Sequence, residues 1–216
     1  AALQSAFVDD LDRLGFRVSH QSSVMLRSVR QDHPMPSIRP VSVDDCVAVA
    51  EIYRHYVENS TASFDHHALS EAEWQVKAAA IVDAGRPFLI LENSDDPSLP
   101  SGVLGYAYLG VYRGKAGWAH TAEDSIYLRP EAAGRGLGRR LLQALVDATD
   151  AAVTRNIVAV ISEEVPGSVA LHRKVGFVEV GRMPAVGRKF DRWIGAVYMQ
   201  FVVDAAPSEA STAPSA

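Results

Sequence analysis

Ser125-Ile-Tyr-Leu-Arg-Pro-Glu-Ala-Ala-Gly-Arg-Gly-Leu-Gly-Arg-Arg-Leu-Leu142 is the stretch on which the fold turns. Ile126 to Leu128 read as a strand, Pro130 stops it, and a glycine-punctuated turn leads into an amphipathic helix from about Leu137. Gly134, Gly136 and Gly138 leave backbone N–H groups unshielded at the start of that helix. A helix N-terminus carries unpaired donors and partial positive charge, so it attracts phosphate oxygens. Arg135, Arg139 and Arg140 add positive charge at the same place. The stretch reads as a pyrophosphate-binding turn.

Two common phosphate motifs do not fit. No Gly-Lys-Ser/Thr follows the glycines, as a P-loop requires, and their G-x-G-x-G spacing is not the G-x-G-x-x-G of a dinucleotide fold. Arg135-Gly-Leu-Gly-Arg-Arg-Leu-Leu after Tyr127-Leu-Arg-Pro instead resembles the coenzyme A pyrophosphate loop of the Gcn5-related N-acetyltransferase (GNAT) superfamily. Ser168-Val-Ala-Leu-His-Arg-Lys-Val-Gly-Phe resembles the next segment of that family. Tyr53-Arg-His-Tyr-Val-Glu-Asn-Ser-Thr-Ala-Ser-Phe, Thr121-Ala-Glu-Asp-Ser-Ile-Tyr, Gly187-Arg-Lys-Phe-Asp-Arg-Trp and Met199-Gln resemble its phosphinothricin and methionine sulfoximine acetyltransferase subgroup. The likeness runs in family order from about Ile38 to Phe201.

Composition sets bounds around this reading. A chain of 216 residues, 48% of them apolar, suits one globular domain with a good core. A formal charge of −5 does not suggest a nucleic-acid scaffold; the positive charge is local to the glycine turn. The single cysteine, Cys46, excludes an internal disulfide framework and reads as a small buried residue of the first helix. No run approaches the roughly 18 apolar residues of a membrane span, so the expected location is cytoplasmic. No metal-ligand spacing is present, and His66-His67 reads as a surface pair.

Residues 1–36 read as an extension outside the catalytic core, with Leu3, Phe7, Leu11 and Leu14 on one face of a short helix followed by loop. Residues 204–216, rich in Ala, Ser and Pro, read as a disordered tail. Between them, residues 37–203 form the expected acetyltransferase domain. Strands are expected at Ile38–Val41, Phe88–Glu92, Val103–Tyr112, Trp118–Leu128 and Ile157–Ile161, with two more within Phe177–Val203. Helices are expected at Val43–Asn59, Ser70–Ala84, Gly136–Val153 and Pro166–Val175. Such alternation means an α/β domain with a mixed sheet. The resemblance implies that the middle strands splay apart, with helices on both sides.

Acetyl transfer from a thioester to an amine needs a base for the amine proton, donors for the oxyanion and a proton for the leaving thiolate. The resemblance implies acetyl-CoA as co-substrate, no metal, and Glu123 as the general base. It points to His172 as an orienting or proton-passing group, where many relatives carry tyrosine. Backbone of Ser125, Ile126, Tyr127 and Leu128 would hold the pantetheine arm. Ala133, Gly134, Arg135, Gly136, Leu137, Gly138, Arg139 and Arg140 would hold the pyrophosphate. Tyr112, Arg113, Lys115, Trp118 and His120 are expected on the acceptor side, two cations on one loop suiting a substrate carboxylate or phosphinate. Phe64 would supply a wall, and Lys189 with Trp193 would close the pocket. A homodimer is compatible with the resemblance, and the sequence leaves it open.

Three positions depart from the subgroup pattern: Ala133, Val165 and Gly195. The function implied is N-acetylation of a small amino acid-like acceptor by direct attack in a ternary complex. Acetylation of another amine, such as a polyamine, aminoglycoside or protein N-terminus, and a non-catalytic acyl-CoA sensor are the alternatives. A sensor would keep the glycine turn and lose the base.

Overall fold

The computed structural model describes residues 35–203. The expectations for residues 1–34, including the short helix, and for the tail 204–216 lie outside the described residues. Strands β1 (Ser37–Pro40), β2 (Phe88–Asn93), β3 (Gly102–Val111), β4 (Thr121–Leu128), β5 (Asn156–Ser162), β6 (Val178–Lys189) and β7 (Arg192–Val202) form one sheet in the order β1-β2-β3-β4-β5-β7-β6. Helices α1 (Cys46–Asn59) and α2 (Glu71–Asp83) precede β2; α3 (Leu137–Asp147) and α4 (Pro166–Val175) flank β5 in sequence.

Period-two alternation sorts side chains onto the two faces of the sheet. On β2, Phe88 and Ile90 pack with Val49, Ile52, Trp74 and Ile81 of α1 and α2. The intervening Leu89 and Leu91 pack with Leu137, Leu141, Leu142 and Leu145 of α3. Those four leucines and Val146 are buried on one stripe of α3. Each buried leucine contributes about 1.5–3 kcal/mol. That sum outweighs the ~1 kcal/mol cost of placing Gly138 inside the helix.

Local signals set the ends of the elements. Ser70 and Glu73 form a capping box at α2, the Ser70 Oγ accepting from the Glu73 N–H and Glu73 Oε2 accepting from the Ser70 N–H. Cys46 is buried at the start of α1. The first turn before α1, Val43–Asp45, is a 3₁₀ helix; there Ser42 donates from both N–H and Oγ to Asp45, which also accepts from Arg39. Helix α3 ends at Asp147, six residues before the expected Val153; Thr149 Oγ1 bonds back to the Leu145 carbonyl and the chain turns toward β5. Among the described residues no helix is long and apolar enough to cross a membrane.

The central feature is the junction of β4 with β5, the one parallel pair in the sheet. It pairs only Thr121, Ala122 and Glu123 with Asn156, Ile157 and Val158. Beyond Glu123, β4 stays bonded to β3 through Leu128 and β5 stays bonded to β7 through Ser162. The two strands therefore part, and their facing backbone groups have no ladder partner across the gap.

Candidate active site

The gap opens into a cleft of about 1160 Å³ that runs from the glycine turn to the aromatic end of α1 and α2. Its coenzyme-sized end is backbone. Gly134 and Gly136 have φ of 75° and 78°, a left-handed conformation that costs a side-chain-bearing residue about 1–2 kcal/mol. A Cβ on either glycine would meet no protein atom within 4 Å and would project into open space. The first helical bond runs from the Arg140 N–H to the Gly136 carbonyl, so the N–H groups before it face outward. The turn is thus an open cradle of donors, which fits a pyrophosphate.

The side chains of that segment divide three ways. Ala133, Gly134, Gly136, Gly138 and Arg139 line the cleft, together with Ser125, Ile126, Tyr127 and Leu128 of β4. Leu137 is buried in the core under α3. Arg135 turns away and donates to the Ser98 Oγ and carbonyl at 2.8 and 2.9 Å. Arg140 is half-buried outside the lining, with Nη1 lacking a partner among the described residues. Adjacent helical positions differ by about 100°, so Arg139 and Arg140 cannot both face one cleft.

Glu123 sits where β4 and β5 part, and lines the cleft. Burial, reinforced by the neighbouring negative Asp124 and opposed by Lys77, raises its pKa to about 7. A carboxyl poised there can take a proton near neutral pH.

Asp124 and His172 also line the cleft; Asp124 lies on the opposite face of β4 from Glu123, as alternation on a strand demands, and meets α4. Its Oδ2 lies 2.9 Å from His172 Nε2, both side chains being only 2% exposed. His172 Nδ1 lies 2.8 Å from the Ser168 carbonyl, an acceptor only. The Ser168 carbonyl can only accept, so Nδ1 carries a proton, and the carboxyl group at Nε2 favours a second one on the ring. Burial alone would lower its pKa, but the charge and hydrogen bond of Asp124, with the Ser168 carbonyl, raise it. Asp124 Oδ1 has no partner among the described residues.

The acceptor end departs from the sequence reading. Tyr112, Arg113, Lys115 and Trp118 lie on the β3–β4 connection and do not line the cleft. Arg113 instead lies over the rings of Tyr112 and Trp118, at 5.2 and 5.8 Å. His120 is exposed and paired through Nδ1 with the Val153 carbonyl, tying the entry of β4 to that of β5. The short parallel pairing explains this placement: the loop enters β4 at Thr121, on the closed side of the junction, whereas the gap opens after Glu123.

Lys189 is also displaced from the expected pocket wall. It is buried, and Nζ donates to the Ser60 and Ser63 carbonyls at 2.8 and 2.6 Å. Burial lowers its pKa, partly opposed by Asp65. The segment it clamps carries Phe64, which lines the cleft and packs so tightly on Gly187 that a Cβ there would lie 2.5 Å from the ring. Lys189 therefore supports the wall that Phe64 forms. Trp193 is 66% exposed and no part of the cleft.

The residues that do line this end are Tyr53, Tyr56, Phe64, Asp65, Lys77, Tyr108 and Tyr127. Tyr53 donates to Asp65, Tyr56 donates to the Leu128 carbonyl at 2.6 Å, and Lys77 donates to the Tyr108 hydroxyl at 2.8 Å. Lys77, Tyr108 and Asp124 were not singled out from the sequence. The available signal was Trp74 and Lys77 three residues apart on one face of a capped helix, a spacing that places them side by side. Of the departures, Val165 lines the cleft, and Gly195 is buried with its N–H donating to Glu163 Oε1.

Comparison with known proteins agrees with this geometry. The model of the acetyltransferase (GNAT) family matches residues 49–177, more than half of the chain. The chain belongs to the GNAT acetyltransferase family. Among GNAT relatives, phosphinothricin N-acetyltransferase of Alcaligenes faecalis is 37% identical over 165 residues, 76% of this chain and 81% of that one. L-methionine sulfoximine/L-methionine sulfone acetyltransferase of Pseudomonas paraeruginosa is 36% identical over 168 residues, 78% of this chain and 95% of that one. Among solved GNAT structures, a phosphinothricin acetyltransferase from Sinorhizobium meliloti in complex with acetyl-CoA is 34% identical, with a TM-score of 0.73, and covers 82% of this chain and 95% of its own. The mixed seven-stranded sheet is the GNAT fold.

Proposed function

We propose that this protein transfers acetyl from acetyl-CoA to the amine of a small amino acid-like acceptor of the phosphinothricin, methionine sulfoximine or methionine sulfone type. One observation carries the reading: Glu123 stands at the mouth of the β4–β5 gap, between the open glycine cradle and an aromatic pocket. A sensor would need the cradle without a base tuned toward neutrality.

Acetyl-CoA, when bound, supplies the acetyl group as a thioester already activated toward attack. The N–H groups of the Gly134–Gly138 turn and the Arg139 guanidinium would hold its pyrophosphate. The gap-facing N–H groups of β4 past Glu123, which lack a ladder partner on β5, are positioned to donate to the thioester carbonyl oxygen and to the oxyanion that forms there. Glu123 accepts the proton that the acceptor's ammonium must lose before its nitrogen can attack. Both ring nitrogens of His172 are engaged, so its geometry suits orienting Asp124 beside Glu123.

Thiol release from acetyl-CoA, measured with phosphinothricin, methionine sulfoximine, methionine sulfone, plain amino acids, spermidine and an aminoglycoside, tests the reading. Turnover on the first three, well above the last two, is expected. Preference for spermidine or the aminoglycoside would replace it with the polyamine or aminoglycoside alternative.

A further inference from the structure

Apart from His172, whose ring nitrogens are taken up by Asp124 and the Ser168 carbonyl, three cationic side chains line the described cleft. Arg139 and Lys174 belong to α3 and α4, at the coenzyme end; Lys77, from α2, belongs to the acceptor end. Lys77 is built into its place. Its ammonium lies 4.7 Å from the Trp74 ring and 4.8 Å from the Tyr108 ring, which fix the stem and shield one side of the charge from water. Trp74 is fully buried and Tyr108 nearly so, so neither ring can swing away.

Yet among the described residues the charge has no carboxylate within ion-pair distance. An ammonium has three donors, and among the described residues Nζ gives one hydrogen bond, to the Tyr108 hydroxyl. Among the described residues no ion pair within 4.0 Å includes Lys77. A half-buried cation with two unused donors on a cleft wall is a ready anion site. The exposed Arg113 and Lys115 have no such placement.

We infer that Lys77 binds the carboxylate of the acceptor while Glu123 faces its amine, so that the cleft selects α-amino acids over amines that lack a carboxylate. This rests on the acetyltransfer reading above. The covalent constraint is simple: in an α-amino acid the amine and the carboxylate hang from one carbon, so the anion site must adjoin the base. Lys77 meets that condition: its partner Tyr108 is paired with Ser125, two residues along β4 from Glu123 and on the same face of the sheet, and Lys77 and Glu123 line one cleft. The Lys77 charge also opposes the rise in the Glu123 pKa. Binding a carboxylate at Lys77 offsets that charge, and Glu123 then holds a proton more strongly. The acceptor's own anion thereby strengthens the base that deprotonates its amine.

The test compares methionine sulfone with its decarboxylated analogue, 3-(methylsulfonyl)propan-1-amine, by thiol release from acetyl-CoA. The readout is the ratio of the two kcat/KM values, which a general loss of activity does not move. Wild type is expected to favour the amino acid by roughly 10- to 100-fold, as one charge-assisted contact allows. Lys77→Met should bring the ratio within about threefold, mostly through KM for methionine sulfone, and Lys77→Arg should restore part of it. A ratio that survives in Lys77→Met, or a wild type indifferent to the carboxylate, overturns the assignment of Lys77 and leaves the acetyltransfer reading intact. Failure of wild type to acetylate either amine overturns both.

Discussion

The two ends of the cleft are made of different materials. At the coenzyme end the ligand-facing groups are backbone donors of one short turn, held open by two left-handed glycines. At the acceptor end they are side chains gathered from separate places: Phe64 after α1, Lys77 on α2, Tyr108 on β3 and Glu123 on β4. The first end depends on conformation and is indifferent to most side chains. The second depends on which side chains the sheet and helices happen to bring within reach, and there a single substitution changes the chemistry.

That contrast predicts a graded set of effects. Glu123→Gln should lower kcat by about 10²–10⁴ with coenzyme A affinity unchanged, checked by steady-state kinetics and calorimetry. The base must be ionised to act, so wild-type kcat/KM should rise with pH and level off above about 7. A carboxyl whose folded pKa exceeds its unfolded value costs stability as pH rises from about 4.5 to about 7. Glu123→Gln should therefore melt higher than wild type above pH 7. A variant with full activity, or with coenzyme binding lost as well, breaks the division between the two ends.

Asp124→Asn removes one member of a buried ion pair and should destabilise the fold by about 3 kcal/mol or more, measured by urea unfolding. The folded His172 pKa is raised, so the pair's stabilisation is full below the unfolded value of 6.5 and is lost as pH rises through the folded one. The stability gap between wild type and variant should narrow accordingly as pH rises above 6.5. A gap independent of pH would mean that the pair holds no proton beyond what its unfolded groups hold.

Gly136→Ala places a methyl group on a left-handed residue facing the cradle, at a cost of about 1–2 kcal/mol in stability. Coenzyme A affinity should fall about tenfold, while the ratio of kcat/KM values between acceptors stays put. A change in acceptor preference would show that the two ends are not separable. The smallest effect is expected from Arg113→Ala combined with Lys115→Ala: KM for methionine sulfone should stay within about twofold, because neither residue lines the cleft. A tenfold rise would return the hairpin to the acceptor site.

The fold was legible because its signals are local and periodic. The Ser70 capping box, the proline opening α4 and the alternation of β2 all act over a few residues, and each element appears where these place it. Helix α3 ran too long in the sequence reading because nothing apolar or polar in Ala148–Val153 forbids a helix; the Thr149 back-bond and the approach to β5 end it. The glycine cradle was legible for the same local reason.

The acceptor end was not. Arg113 and Lys115 looked like a substrate clamp because charge near a catalytic strand is visible in one dimension, whereas the direction in which a gap opens is not. That direction follows from where β4 stops pairing with β5, a contact between residues 35 positions apart that no local pattern encodes. Lys77 is placed by Trp74 and Tyr108, from a helix and a strand, which close around its stem. Asp124 looked like the surface neighbour of Glu123 until α4 brought His172 against it. By itself the sequence determined the elements, the cradle and the family, because each rests on short-range sterics and hydrogen bonding. The tertiary structure decided which charges share the cleft, because charges act through space and their distances are set by packing.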